Sequence, residues 1–208
     1  MASDVEKFRE LGIAGVTPEM HVPRFDWLRS RTQGETVLSL GCAFGRDIAW
    51  CTAQKTANGW VTNGAGCLGV EILSGFEAAF LELLPDTVFL CHDILQPRDY
   101  GKFGVAILSE VLEHIRPRDV HGVVETAWKA SEHVLITTPN GSGDYYGPCT
   151  EAGEHSMIFT PEIWRTFLNP SPRVTDFYKS IGMLLRFDAS ILETQDFIFV
   201  EITGSKSL

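Results

Sequence analysis

A chain of 208 residues is long enough for one α/β domain with a sizeable core and too short for two such domains and a linker. Hydrophobic residues at 44% and charged residues at 21% exclude a disordered chain. A formal net charge of -10 excludes recruitment of nucleic acid by the overall field, and no Lys/Arg run supplies a local basic patch.

The five cysteines, Cys42, Cys51, Cys67, Cys91 and Cys149, are odd in number and contain no CxxC pair. Several sit in apolar stretches, which points to a reducing compartment. Met1–Glu10 is charged and lacks a signal-peptide core, and no apolar run approaches membrane-spanning length. A cytoplasmic protein with no membrane partner is expected, and nothing speaks to its oligomeric state.

In chain order, helical stretches are expected at Asp4–Leu11 and Pro18–Arg29, the second with Phe25 and Leu28 in the core. Met20, His21 and Trp27 are placed to close a pocket, although Trp27 reads better as core. The first strand is Thr36–Leu40, followed by a turn through Gly41-Cys42-Ala43-Phe44-Gly45 into a short helix. Asn58–Gly66 reads as a loop. Cys67–Glu71 is the second strand. Ser74 and Glu77 have capping-box spacing, and Phe76, Ala79, Phe80, Leu83 and Leu84 follow at helical spacing to Pro85. Thr87–Cys91 and the apolar Phe103–Leu108 are the third and fourth strands. Pro117 opens a helix with Val120, Val123, Val124 and Ala127 on one face, and His133–Thr138 is the fifth strand.

This alternation predicts a parallel sheet covered by helices on both sides. After a long loop, Pro139–Gly153, a helix starts at Thr160-Pro161 and carries Ile163, Trp164 and Phe167. Ile181–Phe187 and Phe197–Ile202 look like a closing antiparallel pair. One domain over residues 1–208 is expected, with 1–34 a helical lid region and 35–208 a catalytic core.

Ligands of open parallel sheets bind beyond the carboxyl ends of the strands. The turn Gly41-x-x-x-Gly45 either lets a ligand approach the backbone or is a purely structural turn. Glu71, after the second strand, either accepts hydrogen bonds from ribose hydroxyls or is a solvated helix-entry carboxylate. Asp93, after the third, stands where an adenine amino group could be met. The pyrophosphate pattern G-x-G-x-x-G is absent, which disfavours a dinucleotide.

The segments TVLSLGCAFGRD, CLGVEI, LCHDI, GVAILSEVLEHI and HVLITTPN occur in that order over Thr36–Asn140. Together they resemble the successive motifs of class I S-adenosylmethionine-dependent methyltransferases. The resemblance implies a Rossmann-like three-layer α/β sandwich whose seven-stranded, mostly parallel sheet has an antiparallel last strand. It implies that Gly41, Ala43 and Gly45 border the methionine portion of the cofactor, that Glu71 holds the ribose, and that Asp93 and Ile94 lie by the adenine. Glu110 would stand beside cofactor and acceptor. Two positions depart from the pattern. Ser39 replaces an acid that commonly anchors the methionyl amine, and Ala43 replaces a glycine, which is tolerable unless that position needs a positive φ.

Glu110, Glu113 and His114 have the spacing ExxEH, and His155 follows in EHSMIFTPE. If Glu110 starts a helical turn, Glu110, Glu113 and His114 share a face, and together with His155 they could bind Mg²⁺ or Mn²⁺. The pattern is similar both to small-RNA 3′-terminal 2′-O-methyltransferases, which hold such a metal, and to ubiquinone-biosynthesis O-methyltransferases. Without a metal, Glu113 and His114 cap and pack the helix. Tyr145 and Tyr146 are candidates for stacking on a planar acceptor or for a simple lid. The favoured reading is O-methylation of a small hydroxylated molecule, with His114 or His155 as base and Glu110 alongside. The alternatives are metal-dependent 2′-O-methylation of an RNA end and a nucleoside-binding module without catalysis.

Overall fold

A computed structural model of the chain describes residues 18–57, 59–142, 156–168 and 185–207. The chain divides into two compact units, 1–96 with 103–105, and 97–102 with 106–208. The helix expected at Asp4–Leu11 lies outside the described residues.

The first unit runs α1 (Pro18–Thr32), β1 (Val37–Leu40), α2 (Arg46–Thr52), β2 (Gln54–Thr56), β3 (Gly59–Val61), β4 (Leu68–Glu71), α3 (Glu77–Leu83) and β5 (Val88–Cys91). All four residues of β1 are buried, as both faces of a covered parallel strand require. β1 pairs parallel with β4, from Leu38 opposite Leu68 to Leu40 opposite Val70, and β4 pairs parallel with β5. The strands therefore end at one level, and the turns that leave them start side by side. In α1, Phe25 and Leu28 are three residues apart on one face and fully buried, as expected. Phe25 meets the ring of Trp50 in α2 at 5.8 Å, and Trp50 Nε1 donates to Asp26 Oδ1 at 3.1 Å. Arg29 Nη2 donates to the Ala53 carbonyl at 3.0 Å, satisfying an acceptor at the end of α2.

Four expectations for this unit need correction. Trp27 is half-buried, not core; the Arg31 guanidinium covers its ring at 4.5 Å. Asn58–Gly66 is not all loop, since β2 and β3 form a short antiparallel pair with Lys55 opposite Trp60. Ser74 and Glu77 do not form a capping box. Ser74–Phe76 is a 3-10 turn, and α3 begins at Glu77 with no side-chain cap. The expected apolar face of α3 reduces to Phe80 with Leu84 behind it, while Ala79 is exposed.

The second unit contains β6 (Val105–Ser109, whose first residue belongs to the first unit), α4 (Pro117–Ala130), β7 (Val134–Pro139), α5 (Pro161–Leu168), β8 (Leu185–Glu193) and β9 (Phe197–Ser207). Every residue of β6 and β7 is buried, and the two pair parallel. Pro117 starts α4, where its missing N–H costs nothing, and Val120, Val123, Val124 and Ala127 are all buried as the spacing requires. In α5, Trp164 is fully buried, stacks on Phe159 at 4.7 Å and donates from Nε1 to Thr138 Oγ1 at 3.2 Å.

The closing strand expected near Phe197–Ile202 is β9, antiparallel to both neighbours, with Val134 opposite Ile202 and Ile191 opposite Val200. Its partner β8 was expected at Ile181–Phe187, of which 181–184 lie outside the described residues; the strand instead continues to Glu193. From Asp188 onward β8 carries Asp188, Ser190 and Glu193 among its apolar residues. That composition suits an edge strand with one wet face and defeats a search for continuous apolar runs. The seven strands form one mixed sheet in the order β5-β4-β1-β6-β7-β9-β8. Among the described residues no helix is long and apolar enough to cross a membrane.

His21, on α1, has its pKa pulled down from 6.5 to about 4, first by burial and then by the charges of Arg24 and Arg46. As pH falls from 7 to 5, the unfolded chain protonates His21 while the folded chain resists, so folding stability falls. Thermal unfolding should therefore show a smaller drop in midpoint between pH 7 and pH 5 for His21→Gln than for the unmodified protein. Equal drops would remove His21 from this account.

Candidate functional site

In the first unit the turn leaving β1 holds three residues in left-handed conformation: Gly41 (φ 75°), Ala43 (φ 43°) and Gly45 (φ 76°). The N–H groups of Gly41 and Cys42 both donate to the Val70 carbonyl, at 2.8 and 3.0 Å, which folds the turn back onto the end of β4. Glycine at position 45 is required twice. Its backbone is left-handed, and a Cβ there would lie 2.6–2.7 Å from Phe80 and Leu84. Gly69, in β4, meets the same ring; a Cβ there would come within 2.5 Å of Phe80 and 2.8 Å of Cys42 Sγ. Gly45 is therefore needed for packing, whatever else the turn serves. Ala43 occupies a position that does need positive φ, at a cost of about 1–2 kcal/mol relative to an ordinary conformation.

What holds Ala43 there is Glu71, the last residue of β4. Its carboxylate is buried and takes three backbone amides: Ala43 on Oε2 at 3.1 Å, and Ile72 and Leu73 on Oε1 at 2.8 and 3.2 Å. This is neither a solvated carboxylate nor one wholly reserved for a ligand. By occupying the Ile72 and Leu73 amides it also shapes the chain just before Ser74, where the capping box was expected. Burial, then the charges of Glu71 and Asp47, push the Cys42 thiol up, so it stays neutral.

After β5, Asp93 is half-buried. Its Oδ1 accepts the Leu95 N–H at 2.9 Å and its carbonyl accepts the Gln96 N–H, forming a tight turn around the half-buried Ile94. The His92 N–H donates to the Glu71 carbonyl at 2.9 Å, tying this turn to the end of β4. Sequence reasoning passed over Ile72, Leu73 and Leu95. All three are exposed, Leu73 at 58%; Ile72 and Leu73 directly follow Glu71, and Leu95 stands two residues past Asp93. The signal was present: an apolar pair immediately after Glu71, where a helix entry is ordinarily polar.

In the second unit, Glu110 directly follows β6 and has φ 56°, a strained backbone for a glutamate. Its N–H donates to the Thr137 carbonyl at 3.0 Å, and its Oε1 accepts the Thr137 hydroxyl at 3.2 Å. That leaves the Thr137 oxygen to accept from Ser109 Oγ at 2.9 Å, so the buried hydroxyls all orient toward Glu110. Leu112–His114 is a 3-10 turn, not a helical turn, and successive side chains part by a third of a circle. Glu113 is accordingly buried and His114 exposed. The Glu113 carbonyl accepts the Ser156 and Met157 amides, and Ser156 Oγ donates to the His114 carbonyl at 3.2 Å. Among the described residues, no three His, Cys, Asp or Glu side chains gather to hold a metal ion. His155, Tyr145 and Tyr146 lie outside the described residues.

Relief of strain at position 43 is measurable. Ala43→Gly should raise the unfolding free energy by about 1 kcal/mol, because the left-handed penalty exceeds the entropy glycine adds to the unfolded chain. Gly45→Ala should do the reverse and by more, since it adds a clash with Phe80. Denaturant titration giving Ala43→Gly a lower stability would contradict the strain.

No family model matches this sequence, and no curated protein matches it either. Its fold is similar to that of several solved structures. The magnesium protoporphyrin IX methyltransferase of Synechocystis PCC 6803, solved with bound S-adenosylhomocysteine, aligns with a TM-score of 0.59 at 12% identity, over 97% of this chain and 94% of that one. The N-methyltransferase NodS of Bradyrhizobium japonicum WM9, also with S-adenosylhomocysteine, gives 0.57 at 14% identity, over 95% and 97%. The small RNA methyltransferase HEN1 gives 0.63 at 13% identity, over 93% of this chain but 27% of that much longer one. At such identities the likeness shows the fold: the chain folds as the class I S-adenosylmethionine-dependent methyltransferases do.

Proposed function

We propose that the protein is a methyltransferase that binds S-adenosylmethionine in the first unit and methylates a hydroxyl group of a small molecule. The observation that carries this is the strand-end arrangement of Glu71: a fixed, buried carboxylate flanked by exposed Ile72, Leu73 and Leu95 and followed by Asp93. Such a set suits a nucleoside, with an acceptor for a sugar hydroxyl and apolar side chains for a purine face. Three of roughly four acceptor positions on Glu71 are engaged by amides, so one remains for a single ribose hydroxyl.

When bound, the sulfonium supplies an already activated methyl group, and an in-line displacement leaves the protein mainly the task of alignment, worth roughly 7–11 kcal/mol. The acceptor oxygen must also lose its proton. We assign Glu110 to the acceptor side, held by Thr137 and Ser109, and His155 or His114 as the base that takes the proton. Chelation tests the metal-bound version of the same residues. Turnover lost and restored by Mg²⁺ or Mn²⁺ supports a metal-bound reading and favours an RNA end as acceptor, with Glu113 and His114 on opposite sides of their turn and so not both ligands without rearrangement, whereas indifference leaves the histidines as bases.

Calorimetry with S-adenosylhomocysteine should show binding that Glu71→Gln weakens by about 1–3 kcal/mol, through loss of a charged acceptor. Unchanged affinity in a folded Glu71→Gln protein would sink the assignment. Methyl transfer from radiolabelled cofactor to pooled hydroxylated metabolites should fall by at least about 100-fold in His155→Ala with cofactor affinity unaltered. Full turnover in that variant would move the base to His114.

A further inference from the structure

The loop of residues 97–102 and the last turn of α4 enclose a groove of about 530 Å³, wholly within the second unit. That volume falls in the range of about 300–1,000 Å³ usual for small-ligand sites. Its residues divide by depth. Ala130 is buried and Tyr100 and Thr126 are half-buried, whereas Arg98, Lys102 and Lys129 are exposed. The groove therefore has a cationic mouth over an uncharged interior. The sequence holds no Lys/Arg run; the fold assembles this patch from two segments, on a chain whose net charge is -10.

Two of the cations are fixed in place. Lys102 Nζ donates to the Lys129 carbonyl at 2.7 Å, capping the end of α4. Lys129 Nζ lies 3.0 Å from Glu125 Oε1, one helical turn back. The Asp99 carboxylate, which also lines the groove, takes the Gly101 N–H of its own loop at 2.9 Å. Arg98 is different. Every other arginine whose side chain is described makes a hydrogen bond, an ion pair or a ring contact, and among the described residues Arg98 makes none. With Asp99 and Glu125 set against Lys102 and Lys129, Arg98 is the surplus cation at the mouth.

A guanidinium presents a planar fork that takes two oxygens at once, and an ammonium acts as a point charge. A phosphomonoester supplies three acceptor oxygens and close to two negative charges, enough for both kinds of group together. We propose that this groove binds a small phosphomonoester, with Arg98, Lys102 and Lys129 on the phosphate and Tyr100 and Ala130 against its organic part. Lys129 lies about 18 Å along α4 from Pro117, where the helix starts after the Glu110 turn. The groove is therefore a second site, apart from the acceptor side assigned to Glu110.

Amide NMR on the full chain tests this with phenyl phosphate, inorganic phosphate and a short RNA without a terminal phosphate. Phenyl phosphate should shift the amides of residues 98–102 and 126–130 saturably. It should bind about 10-fold more tightly than inorganic phosphate, because only its ring fills the interior. Arg98→Gln should weaken phenyl phosphate by about 5- to 10-fold, the loss of a charged hydrogen bond discounted for exposure. Arg98 has no bond within the fold to lose, so this variant should keep the thermal midpoint of the unmodified protein. No saturable shift with phenyl phosphate overturns the proposal. Equal binding of the two phosphates, an adventitious ion only, overturns it too, as does undiminished binding by Arg98→Gln. RNA that binds more tightly than phenyl phosphate, and loses that binding in Arg98→Gln, replaces the small ligand with a nucleic-acid backbone. The groove and the Glu71 edge belong to different units, so none of these outcomes decides the cofactor reading.

Discussion

The first unit depends on one carboxylate. Glu71 reaches back from the end of β4 to the Ala43 amide and forward to those of Ile72 and Leu73. A buried carboxylate is costly unless hydrogen-bonded, and three amides at once meet that requirement. The bonds also do geometric work. They hold a non-glycine residue in left-handed conformation, keep the β1 turn against β4, and expose Ile72 and Leu73 at the sheet edge. The same residue therefore builds this edge and is the acceptor that the proposed nucleoside would meet.

Packing beneath the turn complements this. Phe80 fills the space that the missing side chains of Gly45 and Gly69 leave open, so α3 seats against β4 and the start of α2. A strained turn between a glycine-cleared ring below and a carboxylate above has little freedom, which is the preorganisation a binding site needs. Glu110 is a second strained residue at a strand end, again held by side-chain and backbone bonds, here to Thr137. Positive φ at a non-glycine residue persists only where its surroundings over-determine it. Both instances among the described residues occur just past a buried parallel strand.

Strands β1, β4, β6 and β7 and helix α4 were legible in the sequence because their apolar runs and 3.6-residue spacing record burial directly: Val105–Ser109 is buried throughout, and Val120, Val123, Val124 and Ala127 form the inner face of α4. The strand-end positions of Glu71, Asp93 and Glu110 followed from the same runs. Legibility stopped where a distant partner decides the local structure. Ser74 and Glu77 have the spacing of a capping box, yet Glu71 takes the amides just before them. Trp27 has the character of a core residue but is only half-buried, under the Arg31 guanidinium. Gly69 gave no sign of the ring above it, because Phe80 is eleven positions away in sequence. Arg24, His21 and Arg46 meet only through the packing of α1 on α2. The ExxEH spacing implied one helical face, but a 3-10 turn sends Glu113 inward and His114 outward.

The central claim is that the edge built around Glu71 holds a nucleoside. A crystal structure of the protein grown with S-adenosylhomocysteine tests it most directly. The account predicts a ribose hydroxyl within hydrogen-bond distance of the Glu71 carboxylate and a purine against Ile72, Leu73 and Leu95. Nucleoside density lodged instead in the cavity of about 360 Å³ lined by Arg29, Glu35 and Cys51, or in the groove of about 530 Å³ lined by Arg98, Lys102 and Lys129, would contradict it.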